Sequence, residues 1–550
     1  MIFSAHSFAH TRRRSVAICA SLAAAAIFMC VAGINLSSQG LYYDELHQAT
    51  GTFAYIGKPP SNFSSFTVYN IPVLNMRYSG AIKTAIYGLY LKISTARFTV
   101  KSWRILGILF VSMGIIIFSL FASESLPAWG CLMFFMFFLT DVNMLLSTRH
   151  DYGPVALSLM LRLTIITLWI YLQIKQPARH RIIAFCIGFL TGFAIFEKLS
   201  SIVLLFPLFF FIAMDKPRIT FRRLKAYCAG FLTGVLPLFL INLYTYATTS
   251  SLISLEDVQQ QDKYFRLIDY AFHYLTLGNG SIVEETILGT GDIESAYYSI
   301  GNAVELLFIF LLMILSICAI KRYYYQNTYF RLSLACWLSY FSIGIGLHLL
   351  PNATSIHHWI LGTPFHYIAI VLSLIGICHL PSPPWSGTSI YRGFFIISVL
   401  FFFVFRITTL VSVEQSLIQG KASPKWSPEL TRMGLFASRK QDVAAFVAAD
   451  WGVATQIICL SNGNPNLVYE LYADYKGPQQ LRNVIHNSGK KIFYLVHPVP
   501  LSGVNLNNSG RIIEDISHLN ELNEVSVETS MENLKTLRIR KFILSSHYNQ

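Results

Sequence analysis

Long apolar runs recur along the chain, and they restrict it to one class of fold. They lie at 16–36, 106–122, 128–146, 155–174, 182–196, 200–214, 226–246, 304–320, 332–350, 359–379 and 393–413. A helix needs about 20 apolar residues to cross the hydrocarbon of a bilayer. The runs therefore predict a polytopic α-helical membrane protein with about eleven transmembrane helices, 182–196 and 200–214 being short. Composition agrees. Of 550 residues only 13% are charged and 54% are hydrophobic, whereas soluble domains carry about 25% charge.

The formal net charge of +14 would suggest nucleic acid in a soluble protein. Here the basic residues read as cytoplasmic loop anchors, and no nucleic-acid partner is expected. Arg12, Arg13 and Arg14 place the N-terminus inside, ahead of an uncleaved first helix. Counting spans then puts Lys175/Arg179/Arg181, Lys216/Arg218/Arg222/Arg223/Lys225 and Lys321/Arg322/Arg331 on the same side. The apolar stretch 81–93 is too short to span, and counting it would flip every later loop. It reads as an interfacial helix with Lys83 and Lys92 snorkelling.

Four regions then face outward: 37–102, 147–154, 248–301 and the C-terminus from 414. The third is acidic, with Glu256, Asp257, Asp262, Glu284, Glu285, Asp292 and Glu294. The last carries strand-like runs at 456–460, 491–496 and 537–544 and a helix-like stretch at 477–487. It reads as a small soluble α/β domain, 414–550, appended to a transmembrane domain, 1–413. Nine cysteines show no paired spacing, which argues against a disulfide framework or a zinc site.

Polar clusters at membrane boundaries are costly and point to function. Four fall on the outward side. Tyr42-Tyr43-Asp44-Glu45-Leu46-His47 follows the first span; its adjacent carboxylates point in different directions, so at most one faces a given site. It also reads as an interfacial turn. Ser147-Thr148-Arg149-His150-Asp151-Tyr152-Gly153-Pro154 offers an anion binder, a titratable group and a carboxylate, with Asp151 equally suited to capping the next helix. Glu197-Lys198 is either a self-neutralising pair or part of a cavity. His357-His358 would bind metal, phosphate or nothing, since adjacent positions do not share a helix face. Asp141 and Asn143 form a fifth, weaker cluster. Asp450-Trp451-Gly452 in the tail reads as a turn at the start of a strand.

Asp44-Glu45, Tyr78-Ser79-Gly80-Ala81-Ile82-Lys83, Asp151-Tyr152-Gly153-Pro154, His357-His358 and Asp450-Trp451-Gly452, in that order, resemble the GT-C superfamily. The likeness is to its family 39 type, the bacterial branch of the protein mannosyltransferase and aminoarabinose transferase relatives, and spans most of the chain. The resemblance implies an inverting glycosyltransferase of the bacterial inner membrane that takes a polyprenyl-phosphate-linked sugar to a hydroxyl acceptor on a glycan, lipid or protein. It implies Asp44 as base, Glu45 as its neighbour and Asp151 as the second-loop acid. Lys83, Arg149 and Lys198 would hold the donor phosphate. The resemblance fixes no cofactor; some relatives hold a divalent cation, for which His150, His357 or His358 would serve. A transporter or lipid flippase is the rival reading, weakened by the absence of repeated halves.

Overall fold

The structure, a computed structural model, describes residues 2–59, 64–214, 217–256, 266–289, 295–323, 327–351, 356–380, 387–464, 466–502 and 505–545. All eleven apolar runs are helical. Among the described residues, eight helices are long and apolar enough to cross a membrane, from Val100–Ser125 to Ser389–Ile418. A ninth span is the pair Ala128–Leu139 and Val142–His150, bent by 66°. The first and sixth runs form shorter apolar helices, Val16–Ala32 and Leu199–Ala213.

Two features hold the bundle together. The helices His180–Glu197 and Pro217–Thr249 cross on glycines spaced four apart, Gly188 and Gly192 against Gly230 and Gly234. A β-carbon on Gly230 would lie 2.0 Å from the Phe185 carbonyl oxygen, and one on Gly188 2.1 Å from that of Tyr227. Bilayer lipid gives helices no hydrophobic reason to associate, so close backbone approach through small residues supplies the contact. The second feature is the bend. Asp141 caps the second half through Met144 N at 2.8 Å and accepts a 2.5 Å hydrogen bond from Tyr367. Beside it the buried Arg406 pairs with Glu305. The fifth cluster is thus a capped break in a helix.

The segment after the first helix folds over one end of the bundle. It contains the four-residue helix Tyr43–Leu46 and an antiparallel sheet of β1 (Phe66–Val68), β2 (Ile71–Asn75) and β3 (Ser79–Gly80). The helix Ile82–Ser94 follows, where the interfacial helix was expected. It buries Tyr87 and Leu91 and leaves Ile86, Leu89, Tyr90 and Ile93 exposed as an apolar face. Lys92 is exposed. Lys83 does not snorkel: it is 1% exposed and its ammonium is paired with Asp151.

The C-terminal α/β domain is built on a five-stranded sheet, β4 (Ala444–Ala448), β5 (Val468–Glu470), β6 (Ile492–Pro498), β7 (Leu522–Val525) and β8 (Leu537–Leu544), in the order β5-β4-β6-β8-β7. The first three strands are parallel; β8 and β7 are antiparallel to their neighbours. Alternate β4 residues serve two cores: Ala444, Phe446 and Ala448 pack on the helix Pro428–Lys440, while Ala445 and Val447 pack on the helices Pro478–Asn487 and Leu506–Ser517. That is the period of two of a strand covered on both faces.

Two expectations need revision. Residues 456–460 belong to the helix Ala454–Leu460, and the first strand is the alanine-rich β4. Asp450-Trp451-Gly452 therefore ends a strand rather than starting one. Of the acids in 248–301, Asp257, Asp262, Asp292 and Glu294 lie outside the described residues, as does Lys216 among the basic anchors. Glu256 meets Arg77 at 3.1 Å, and Glu284 is buried.

Candidate active site

The first polar cluster is split by its own helix. In Tyr43–Leu46 the side chains of Asp44 and Glu45 leave about 100° apart. Glu45 turns inward and forms a two-point ion pair with Arg104, at 2.7 and 2.9 Å. Both are fully buried, and Arg104 also binds the carbonyls of Leu36, Gln39 and Gly40. Glu45 is thus a structural anchor. Asp44 faces the other way with a fifth of its side chain exposed, its Oδ1 3.3 Å from His47 Nε2 one turn on. Burial pushes the Asp44 carboxyl up to about 6, against the pull of Lys198 and Lys425. Burial, with Lys198 beside it, pushes the His47 imidazole down to about 3. The ring is neutral, and its contact with Asp44 is not an ion pair.

The second cluster makes the neighbouring wall. Asp151 ends the helix Val142–His150 in the left-handed region, with φ 48°. Its Oδ1 caps the next helix through Val155 N and Ala156 N at 2.9 and 2.8 Å, and its Oδ2 takes the Lys83 ammonium at 2.5 Å. Capping and charge binding coexist on one carboxylate. Gly153, at φ 71°, has no room for a side chain, since a β-carbon would sit 2.4 Å from His357 Cδ2. Its carbonyl accepts from Lys198 Nζ at 2.5 Å.

Lys198 is delivered by the Tyr78-Ser79-Gly80 motif. Ser79 forms an isolated antiparallel bridge with Lys198, and Leu199 N donates to Tyr78 O at 2.9 Å. Lys198 is buried, and no direct contact with Glu197 defines it; Glu197 Oε1 faces Gln48 instead. Burial pushes the Lys198 ammonium down to about 7, while Asp151 and Asp44 pull it up. The structure thus gathers Asp44, His47, Lys83, Asp151 and Lys198 into one buried group.

Other expected residues sit differently. Arg149 is fully buried and spends its guanidinium on the end of the first helix. It donates to the carbonyls of Ala32, Ile34 and Asn35 and to Gln39 Oε1. It is held away from a phosphate by those partners. His150 Nδ1 faces Leu146 O at 3.0 Å. The His357 ring packs on His358 and Tyr152 at centroid distances of 4.1 and 4.7 Å. Among the described residues no three His, Cys, Asp or Glu side chains converge on a point that would hold a metal ion. The three histidines do not fit a divalent cation.

Aromatic residues from the C-terminal region close the group; sequence reasoning met Trp451 only as part of a turn and did not single out Trp426. Trp426 packs on Tyr42 at 4.3 Å and edge-on against Tyr152 at 5.2 Å. Trp451 packs on Tyr43 at 4.3 Å. For Trp426 the visible signal was a tryptophan in otherwise polar sequence. The arrangement offers a largely buried carboxylate that is mostly ionised at neutral pH, beside buried ammonium groups, under an aromatic cover. Chemically, such a carboxylate can take a proton and such ammonium groups can face an anion.

No family model and no curated protein matches the sequence. Solved structures do. ArnT from Cupriavidus metallidurans bound to undecaprenyl phosphate aligns with a TM-score of 0.60 at 10% identity, covering 94% of this chain and 96% of that one. The same protein in the apo state aligns with a TM-score of 0.59 at 11% identity and the same coverage. The likeness takes in both the helical bundle and the α/β domain, so the chain shares the overall fold of that protein.

Proposed function

We propose that the protein is an inverting membrane glycosyltransferase that moves a sugar from a polyprenyl-phosphate donor to a hydroxyl acceptor. The observation that carries this reading is Asp44 within reach of the charge of the buried Lys198, in a fold shared with a protein whose structure is bound to undecaprenyl phosphate. Asp44 accepts the proton of the acceptor hydroxyl as its oxygen attacks the anomeric carbon. The C–O bond to the lipid phosphate breaks in the same displacement, which inverts the anomeric centre. A lipid phosphate leaves readily and needs charge stabilisation more than a proton. Lys198 supplies it: an ammonium has three donors, one of which goes to Gly153 O. Lys83, held by Asp151, adds positive charge alongside.

The positive-inside reading of the loops places this end of the bundle, with the 414–550 domain, on the extracytoplasmic face of a bacterial inner membrane, and the N-terminus in the cytoplasm. The donor then reaches the site sideways from the bilayer. The shared fold favours transfer over the transporter or flippase alternative.

The test is transfer from labelled undecaprenyl-phosphate sugars in proteoliposomes. Asp44→Asn should lower turnover by about 100-fold or more while leaving the melting temperature within a few degrees. Full turnover by Asp44→Asn would remove Asp44 as the base. A fusion reporter in 248–301 that reads cytoplasmic would overturn the orientation.

A further inference from the structure

The sheet order β5-β4-β6 puts a topological switch point between β4 and β6, the chain leaving β4 for β5 on one side and then crossing to β6 on the other. In open α/β sheets the crevice outside the carboxyl ends of such strands is where ligands bind. Here that edge is pressed onto the loop that carries Asp44. Trp451, just past β4, lies against Tyr43 and 5.5 Å from Tyr42. Glu470, the last residue of β5, stands in register with Ala448.

The two acids at this edge differ. Asp450 is fully buried and fully used. It accepts from Ser502 N at 2.6 Å, Ser502 Oγ at 2.7 Å, Ser509 Oγ at 3.1 Å and Trp451 N at 2.8 Å, so it shapes the turn. Glu470 Oε1 is buried with no hydrogen-bond partner among the described residues. A buried acceptor left unpaired is costly and calls for an explanation. Burial pushes this carboxyl up to about 7. The titratable groups that feel its charge are Tyr43 and Tyr472, and Tyr43 feels Asp44 as well. The charges of Glu470 and Asp44 thus both reach Tyr43.

We propose that this crevice is a subsite for a hydroxylated sugar ring, with Glu470 accepting hydrogen bonds from ring hydroxyls and Trp451 and Tyr43 forming the apolar wall. A carboxylate with an open acceptor repels phosphate and attracts hydroxyls, and aromatic faces suit the C–H side of a sugar. The occupant is therefore a ring rather than the lipid phosphate. It comes from the donor's sugar or from a glycan acceptor, and in either case the assignment rests on the transferase reading. The α/β domain would then select the sugar while the membrane domain performs the chemistry.

Binding separates this inference from the reading beneath it, because it needs no turnover. Full-length protein in nanodiscs is titrated with bare undecaprenyl phosphate and with undecaprenyl-phosphate hexose and pentose. A donor subsite predicts that one sugar-bearing lipid binds at least about tenfold more tightly than the bare lipid. Glu470→Leu should erase that difference and leave bare-lipid affinity unchanged, which also reports that the variant is folded. Glu470→Gln, which keeps an acceptor, should retain part of it. An acceptor subsite predicts lipid affinities insensitive to Glu470→Leu, with a free methyl hexoside or pentoside bound by the wild type and lost in the variant. If neither lipid-borne nor free rings distinguish wild type from Glu470→Leu, the subsite is refuted. Ring binding without any transfer would instead refute the transferase reading and leave the subsite standing.

Discussion

Replacing Arg104 by methionine tests the assignment of Glu45 as an anchor. Arg104 Nε and Nη2 hold the two oxygens of Glu45, and Nη1 and Nη2 hold the Leu36, Gln39 and Gly40 carbonyls at 2.6, 2.9 and 2.7 Å. Trp103 Nε1 adds a bond to Glu45 O at 3.0 Å. Breaking a buried pair by removing one partner costs about 3–5 kcal/mol, because a bare charge stays behind. Removing both charges costs far less. Cys459 gives a local readout: it is fully buried in the cluster of Leu41, Leu46, Phe53 and Trp103 that the pair secures. In a chain whose other cysteines are replaced, its maleimide modification measures the opening of this loop from the bundle and the α/β domain. At 1.36 kcal/mol per tenfold, Arg104→Met should speed modification by about 100- to 5,000-fold. Glu45→Met with Arg104→Met should recover most of the loss. A single variant that reacts like the wild type, or a double variant as reactive as the single, would refute the pair as the anchor.

Two further predictions follow from the geometry. Asp44 must be ionised and Lys198 protonated, with values of about 6 and about 7. The rate constant kcat/KM should therefore peak between these values and fall about twentyfold by pH 8.5 as Lys198 loses its proton; Lys198→Arg, always charged, should lose that alkaline limb in a pH profile. Gly230→Ala should destabilise the detergent-solubilised protein by about 2 kcal/mol or more by prising two helices apart, whereas Gly393→Ala, with nothing within 4 Å, should be neutral or mildly stabilising in a thermal melt.

How much of this was legible in the sequence depends on the range of the interaction. The apolar runs predicted every membrane helix, because crossing a bilayer is a constraint on consecutive residues. The split of Asp44 from Glu45 was legible for the same reason: it follows from helix geometry over two residues. The dual role of Asp151 was anticipated as two open readings, and the structure keeps both. What sequence could not supply was pairing at a distance. Nothing local says that Lys83 meets Asp151 68 positions away, that Arg149 is consumed by the first helix, or that Lys198 is held by a bridge to Ser79. The Lys83 error has a particular cause. A lysine on a short amphipathic helix snorkels unless a buried anion is within reach, and only the fold brings one. β4 was missed because its alanines are weak strand formers, and burial on both faces overrides propensity. Gly188, Gly192, Gly230 and Gly234 were readable as a crossing motif and were passed over.

The balance of charge in the buried group bears on how the site responds to its donor. Asp44 and Asp151 face Lys83 and Lys198, so the group is neutral when both lysines are protonated. Above about pH 7 Lys198 gives up its proton and the group turns negative. On the proposed reading, a lipid phosphodiester would bring one further negative charge next to Lys198. In a buried, weakly screened setting that charge favours the ammonium and raises its pKa. The donor thus recharges the residue that must stabilise its departure. Because kcat/KM reports the free enzyme and kcat the bound complex, the alkaline limb of kcat should lie at higher pH than that of kcat/KM. The acid limb should rise too, since the same phosphate opposes ionisation of Asp44, but by less, because Lys198 stands between them in charge. The two limbs belong to a coupled group rather than to single residues. Bare undecaprenyl phosphate, added as a dead-end ligand, should move the Lys198 limb in the same direction. Coincident limbs for kcat and kcat/KM would mean that the phosphate binds away from Lys198, and the leaving-group assignment would pass to Lys83.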